Sequence, residues 1–123
     1  MYRILIMEKN PAVRTRIIQA LDDDAFRITD ISEYLMALSF VDVYPPDLAI
    51  VGEELLNLSG WDVCRWLCQS LKIPVILIGT GPADTAWGKV IESGADFYFK
   101  VPFKVPELSA RVRAILCRYQ LTT

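Results

Sequence analysis

At 123 residues the chain has room for one domain, long enough to bury roughly 65% of the surface its unfolded form exposes, and a second folded domain does not fit. Thirteen Lys and Arg against fifteen Asp and Glu leave a net charge of -2, without the basic excess of an autonomous nucleic-acid binder. With 53% hydrophobic and 23% charged residues the chain is not disordered, and no apolar run approaches the ~18 residues of a membrane span.

The first apolar run, Tyr2 to Met7, reads as a strand; after Asn10-Pro11, Val13, Ile17, Ile18 and Leu21 fall at helical spacing. Phe26 to Asp30 alternates as a second strand, and Ser32 is placed to cap a helix carrying Leu35, Leu38 and Val41. Behind Pro45-Pro46, Leu48 to Val51 is a third buried run, followed by a loop from Gly52 to Gly60 and a helix from about Trp61 to Leu71. Val75 to Ile78 is the fourth run; beyond Gly79-Thr80-Gly81-Pro82, a helix with Ala86, Val90 and Ile91 reaches Ser93-Gly94. Phe97 to Phe99 is the fifth, and Pro106 sits in the first turn of a helix with Leu108, Val112, Ile115 and Leu116.

Near-continuous apolar strands alternating with amphipathic helices predict an α/β fold of three layers, a (βα)5 doubly wound parallel sheet. Ligands in such sheets sit outside the carboxyl ends of the strands, which here are Met7 to Asn10, Val51 to Glu54, Ile78 to Thr80 and Phe99 to Pro102. The chain has no His, so Ser-His-Asp and Cys-His catalysis is excluded, as are the histidine ligands of most zinc sites. Cys64 and Cys68 lie four apart on the third helix and read as small buried hydrophobes rather than metal ligands. Trp66 falls away from that helix's core stripe and is expected to be exposed. Three cysteines and no signal-peptide pattern point to a reducing cytoplasm.

These strand ends resemble the receiver domain of two-component response regulators. The likeness rests on Arg3-Ile4-Leu5-Ile6 with Pro11-Ala12-Val13-Arg14, Pro46 to Val51, Gly60 to Arg65, Ile73 to Ile76, Glu92 to Tyr98, and Pro102-Phe103 with Glu107-Leu108 and Arg111-Val112-Arg113. It implies the flavodoxin-like strand order 2-1-3-4-5. It also implies the aspartyl-phosphate site of active members, position by position. The acidic pair that helps hold Mg²⁺ falls on Glu8 and Lys9, the phosphoacceptor on Gly52, the switch hydroxyl on Gly79 and the phosphoryl-binding Lys on Val101. Nucleophile, metal ligand, hydroxyl and cation are all missing, which removes every named contributor to phosphoryl transfer. The chain therefore resembles a pseudo-receiver, with no cofactor, no metal and no enzymatic activity of its own.

Lys9 and Lys100 flank the emptied pocket, and at least one of them is expected to form an ion pair there with Glu8, Glu53 or Glu54. Glu53 as a displaced phosphoacceptor lacks a supporting metal pair, Lys100 needs a strand bulge to be recovered, and a small ligand in the space at Gly52 and Gly79 is weaker than collapse of the loops onto the gap. Tyr98 falls on the family's aromatic switch position, and with Gly79 offering no hydroxyl it is expected to keep one rotamer. Trp87, Arg111, Arg113 and Arg118 are placed near the face of fourth helix, fifth strand and fifth helix that receivers use to dimerise. A cis bond is expected at Val101-Pro102.

Residues 1–119 are thus read as the receiver-like domain, and 120–123 as the start of a linker to a missing C-terminal effector domain. The expected function is a phosphorylation-independent interaction and dimerisation module in signal transduction, controlling a transcriptional effector. The expected partners are a second copy and other signalling proteins, with no membrane and no nucleic acid bound by this domain itself.

Overall fold

The computed structural model describes the backbone of residues 1–122 and the side chains of residues 1–120. In chain order the elements are β1 (Tyr2–Met7), α1 (Pro11–Ala20), β2 (Phe26–Asp30), α2 (Tyr34–Val43), β3 (Leu48–Gly52), β4 (Glu54–Leu55), β5 (Leu58–Ser59), α3 (Gly60–Trp66), β6 (Val75–Gly79), α4 (Ala83–Ser93), β7 (Phe97–Lys100) and α5 (Val105–Thr122). Five strands form a parallel sheet in the order β2-β1-β3-β6-β7. This is the expected 2-1-3-4-5 arrangement once the small β4–β5 pair is set aside.

Period-two alternation divides each central strand between two cores. Ile4, Ile6, Leu48, Ile50, Ile76, Ile78 and Phe99 pack against Val13 and Ile17 of α1 and Leu108, Val112 and Ile115 of α5. Leu5, Met7, Ala49, Val51, Val75, Leu77 and Tyr98 face Ala37 and Val41 of α2, Val63 and Cys64 of α3, and Ala86 and Val90 of α4. β3 and β6, and β1 from Ile4 onward, are therefore apolar and buried, because both of their faces are covered.

Several local features depart from the sequence reading. The segment expected as a plain loop, Gly52 to Gly60, folds into the β4–β5 hairpin, in which Leu55 pairs with Leu58 and Asn57 takes a left-handed φ of 59° that asparagine tolerates. Ser32 does not cap α2; the Glu33 carboxylate accepts from the Leu35 and Met36 amides instead. Ile91 is 82% exposed and Leu35 68% exposed, since the buried positions are Ala86 and Val90 on α4 and Ala37 and Val41 on α2, four apart, leaving their neighbours turned outward. Ile18 is likewise surface-facing beside buried Ile17.

Trp66 is half-buried against the α2–α3 core rather than exposed, because α2 lies beside it with Tyr34, Leu38 and Val41. The third helix reaches Leu71 as expected, but its last five residues, Leu67–Leu71, are a π-helical turn ended by Lys72 at φ 56°. Residues 120–122, read from the sequence as linker, continue α5, and Thr123 lies outside the described residues.

Candidate functional site at the carboxyl ends of the strands

Glu8 follows β1 directly and is only 7% exposed. Its Oε1 accepts from the Asn10 amide at 3.1 Å, and its main-chain carbonyl accepts from Arg14 Nη1 at 2.9 Å. Burial pushes the Glu8 carboxyl above its ordinary value, opposed by the Asn10 amide and then by the charges of Lys9 and Arg14. Gly52 ends β3 beside it, and a Cβ placed on Gly52 would land on the Glu8 carboxylate. Glu8 thus fills the volume a side chain at position 52 would need.

The same substitution of space recurs one strand over. Gly79 ends β6, and a Cβ there would lie 2.6 Å from Oε1 of Glu53. Glu53 is held in place by the Trp61 indole, whose Nε1 donates to its Oε2 at 3.2 Å. Beneath it Gly60 is required: its amide donates to the Glu53 carbonyl at 2.8 Å, and a Cβ would collide with the Gly52 carbonyl. A cavity of about 120 Å³ remains between Glu8, Lys9, Glu53, Gly79, Thr80 and Val101.

The two lysines do not fill this space. Lys9 is half-exposed and reaches Glu54 at 4.0 Å, with the Glu54 side chain 77% exposed; a surface pair of this kind is worth little. Lys100 is exposed and forms no ion pair among the described residues. The pocket pairs expected from the sequence therefore reduce to Lys9–Glu54, because N–H donors from Asn10 and Trp61 hold the carboxylates of Glu8 and Glu53. Val101 is half-buried against the α1–α5 core, its amide donating to the Gly79 carbonyl at 2.8 Å, and the following Val101–Pro102 peptide is cis. Arg14, noted in the sequence only as part of the family likeness, ties the Glu8 carbonyl to Asp30 through a 3.2 Å ion pair; its place one turn into α1 was the available signal.

Tyr98 is turned inward, 3% exposed. Its ring stacks on Trp61 with centroids 5.9 Å apart, and its hydroxyl donates to the Gly81 carbonyl at 3.0 Å. Burial raises the hydroxyl's pKa, and the Glu53 charge adds to it. Next to it on the surface, Trp87 of α4 meets Phe97 edge-on at 5.1 Å, and the Arg111 guanidinium of α5 lies 4.0 Å from the centre of the same ring. These three side chains form one strip across α4, β7 and α5. A groove of about 720 Å³ continues it between Phe99, Phe103, Lys104 and Arg111.

Arg118 is exposed on the same helix. Arg113 does not belong with them: it pairs with Asp23 at 2.9 Å and lies over Phe26, at the α1–β2 side of the molecule. Arg113 stands two positions after Arg111, about 200° around a helix, so the two cannot share a face.

The profile of the response regulator receiver domain matches residues 4–113. The chain belongs to the receiver domain family. It is 36% identical over 118 residues to the DNA-binding response regulator MtrA of Mycolicibacterium smegmatis, covering 94% of this chain and 51% of the relative. The Escherichia coli KDP operon transcriptional regulatory protein KdpE is 31% identical over 123 residues, covering 100% of this chain and 55% of that protein. The chain thus spans about half the length of these relatives. Among solved structures, the receiver domain of a signal transduction histidine kinase from Syntrophus aciditrophicus superposes with a TM-score of 0.82 at 26% identity, covering 95% of this chain and 91% of that one. The response regulator DrrB of Thermotoga maritima gives 0.85 at 24% identity, covering 97% and 54%, and shows the common fold. Receiver domains are signalling modules of two-component systems, and no helix among the described residues is long and apolar enough to cross a membrane.

The Mg²⁺ that the family's chemistry implies does not fit the residues present. Such an ion takes near-octahedral oxygen ligands, yet no three acidic, Cys or His side chains among the described residues are grouped to hold a metal. The second position of the acidic pair is Lys9, whose amine reaches outward to Glu54.

Proposed function

We propose that this receiver domain has left aspartyl-phosphate chemistry and acts as a phosphorylation-independent interaction module, a homodimer through the α4–β7–α5 face that controls a transcriptional effector in the cytoplasm. The observation that carries this reading is Gly52, whose missing side chain is replaced in space by the buried Glu8 carboxylate. A glycine supplies no nucleophile, and the two carboxylates around it repel a phosphoryl group rather than neutralise it. Glu53 does not serve as a substitute acceptor, since its carboxylate is engaged by the Trp61 indole and no ion pair reaches it among the described residues.

The interaction face is supported by the strip of Trp87, Phe97 and Arg111, an aromatic and arginine combination characteristic of interface cores. Tyr98, stacked and hydrogen-bonded in its inward position, holds that face in one arrangement. A DNA-binding response regulator and a transcriptional regulatory protein among the relatives make transcriptional output the natural setting.

The test is an amide NMR spectrum recorded before and after Mg²⁺ with beryllofluoride, a mimic of the aspartyl phosphate, alongside the intact mass after a small phosphodonor. An unchanged spectrum and mass are expected. Saturable shifts at Glu8, Gly52 and Gly79 with a gain of one phosphoryl group would overturn the reading. Sedimentation of Trp87→Ala tests the face, with dimer dissociation rising at least tenfold over the parent.

A further inference from the structure

Outside the pocket, two sulfur side chains meet at a seam between elements. Cys64 and Cys68 lie on successive turns of the third helix with their Sγ atoms 3.9 Å apart. Cys64 is fully buried, whereas Cys68 is only partly buried. Both sulfurs face the end of α4: Cys64 Sγ lies 3.7 Å from Ser93 Oγ, and Cys68 Sγ lies 3.3 Å from the Gly94 carbonyl. The turn that carries Cys68 is the π-helical stretch Leu67–Leu71, where the regular helical ladder has already given way.

We infer that Cys64 and Cys68 form a peroxide-responsive dithiol, closing to a reversible disulfide that pulls Cys68 off the carboxyl end of α4. In the first step hydrogen peroxide oxidises the accessible Cys68 sulfur: its S–H becomes S–OH, the O–O bond breaks and one water leaves. In the second step the Cys64 sulfur attacks the Cys68 sulfur, the S–S bond forms, the S–O bond breaks, and hydroxide leaves with the Cys64 proton as the second water. Two thiols and one peroxide give one disulfide and two waters. The contact between the two sulfurs holds the Cys64 thiol below its ordinary value and pushes the Cys68 thiol above it, which suits Cys64 to the attacking role and leaves access, rather than thiolate character, to direct peroxide to Cys68.

Geometry makes this disulfide a labile one. Residues four apart on a helix have Cβ atoms roughly 5–6 Å apart, while a disulfide draws them to about 3.8 Å. The turn must tighten, and the π-helical segment is where it yields. Disulfides closed against such strain are the easily reduced, regulatory kind. Gly94 packs against Cys68, whose Cβ lies 3.4 Å from where a Cβ on Gly94 would be, so tightening the turn moves the neighbour that supports α4.

The experiment uses the chain with Cys117→Ser, which removes the exposed third cysteine and with it any cross-link between copies. After titration with hydrogen peroxide, the expected result is a mass loss of two hydrogens, a fall from two titratable thiols to none on denaturation, and a peptide linking Cys64 to Cys68. Dithiothreitol restores both thiols, and the amides of Ser93 and Gly94 shift reversibly with the cycle. Cys68→Ser should leave the Cys64 thiol intact at the peroxide dose that closes the parent. The proposal is overturned if the parent gains oxygen at Cys68 while Cys64 stays a free thiol, or if both thiols survive.

Discussion

The carboxyl-end pocket and the α4–β7–α5 face lie within one domain and are built on opposite terms. The face is made of large side chains in contact, Trp87 on Phe97 and Arg111 over the same ring. The pocket is made of glycine backbone over which two glutamates have folded, Glu8 above Gly52 and Glu53 above Gly79. What differs is where the space went. The strand ends need only their main chain to complete the sheet, so side chains there can be deleted and the gap absorbed by neighbours, whereas the face keeps its shape only through the rings themselves.

The sharpest way to break this contrast is at Gly60, where main chain meets main chain and nothing flexible can give. Gly60→Val should destabilise by about 3 kcal/mol, seen as a lowered urea midpoint with an unchanged slope. Gly52→Ala should cost less, about 1 kcal/mol, because the obstacle is the far end of the Glu8 side chain, and that cost should vanish in the Glu8→Ala background of a double-mutant cycle. If the cost persists there, Glu8 is not what fills the site. On the face side, Tyr98→Phe keeps the stack and removes only the hydroxyl bond to Gly81; a loss of about 1 kcal/mol is expected, read by thermal melts.

The smallest effect is one of pH. Glu8 is raised above its ordinary 4.5 in the folded chain, so the folded state holds this proton more tightly than the unfolded one. The stability it contributes is full below the unfolded value and is lost as pH rises through the folded one. Glu8→Gln can still accept from the Asn10 amide without titrating, so the variant should gain on the parent as pH is raised from about 4 to 7, by urea midpoints. Equal stability across that range would mean the Glu8 carboxyl is solvated after all.

How far the sequence reached follows from the same contrast. The order of strands was legible because burial on both faces writes continuous apolar runs such as Leu48 to Val51 and Val75 to Ile78, and the gaps at Gly52 and Gly79 were legible as missing side chains. Which neighbours would fill those gaps was not, since Glu8 and Glu53 are drawn in by donors, Asn10 and Trp61, that lie two and eight residues away. Of the two lysines it is Lys9 that pairs, and with exposed Glu54, because Glu8 and Glu53 already had donors in Asn10 and Trp61. The β4–β5 hairpin was hidden because each of its strands is two residues long, too short to show alternation. Arg113 was misplaced because spacing along a helix assigns a residue to a face only when the neighbouring elements are known, and its partner Asp23 comes from ninety positions earlier.

One arrangement at the far end of the sheet bears on mechanics. Asp96, just before β7, accepts from the Val75 amide at the start of β6 and from the Tyr119 hydroxyl in the last turns of α5. The α5 helix, 18 residues or about 27 Å long, is thus clamped at its carboxyl end to the roots of two adjacent strands. The carboxyl end of α5 is thereby tied to the same two strands, β6 and β7, of which β7 carries Phe97 at the centre of the ring strip.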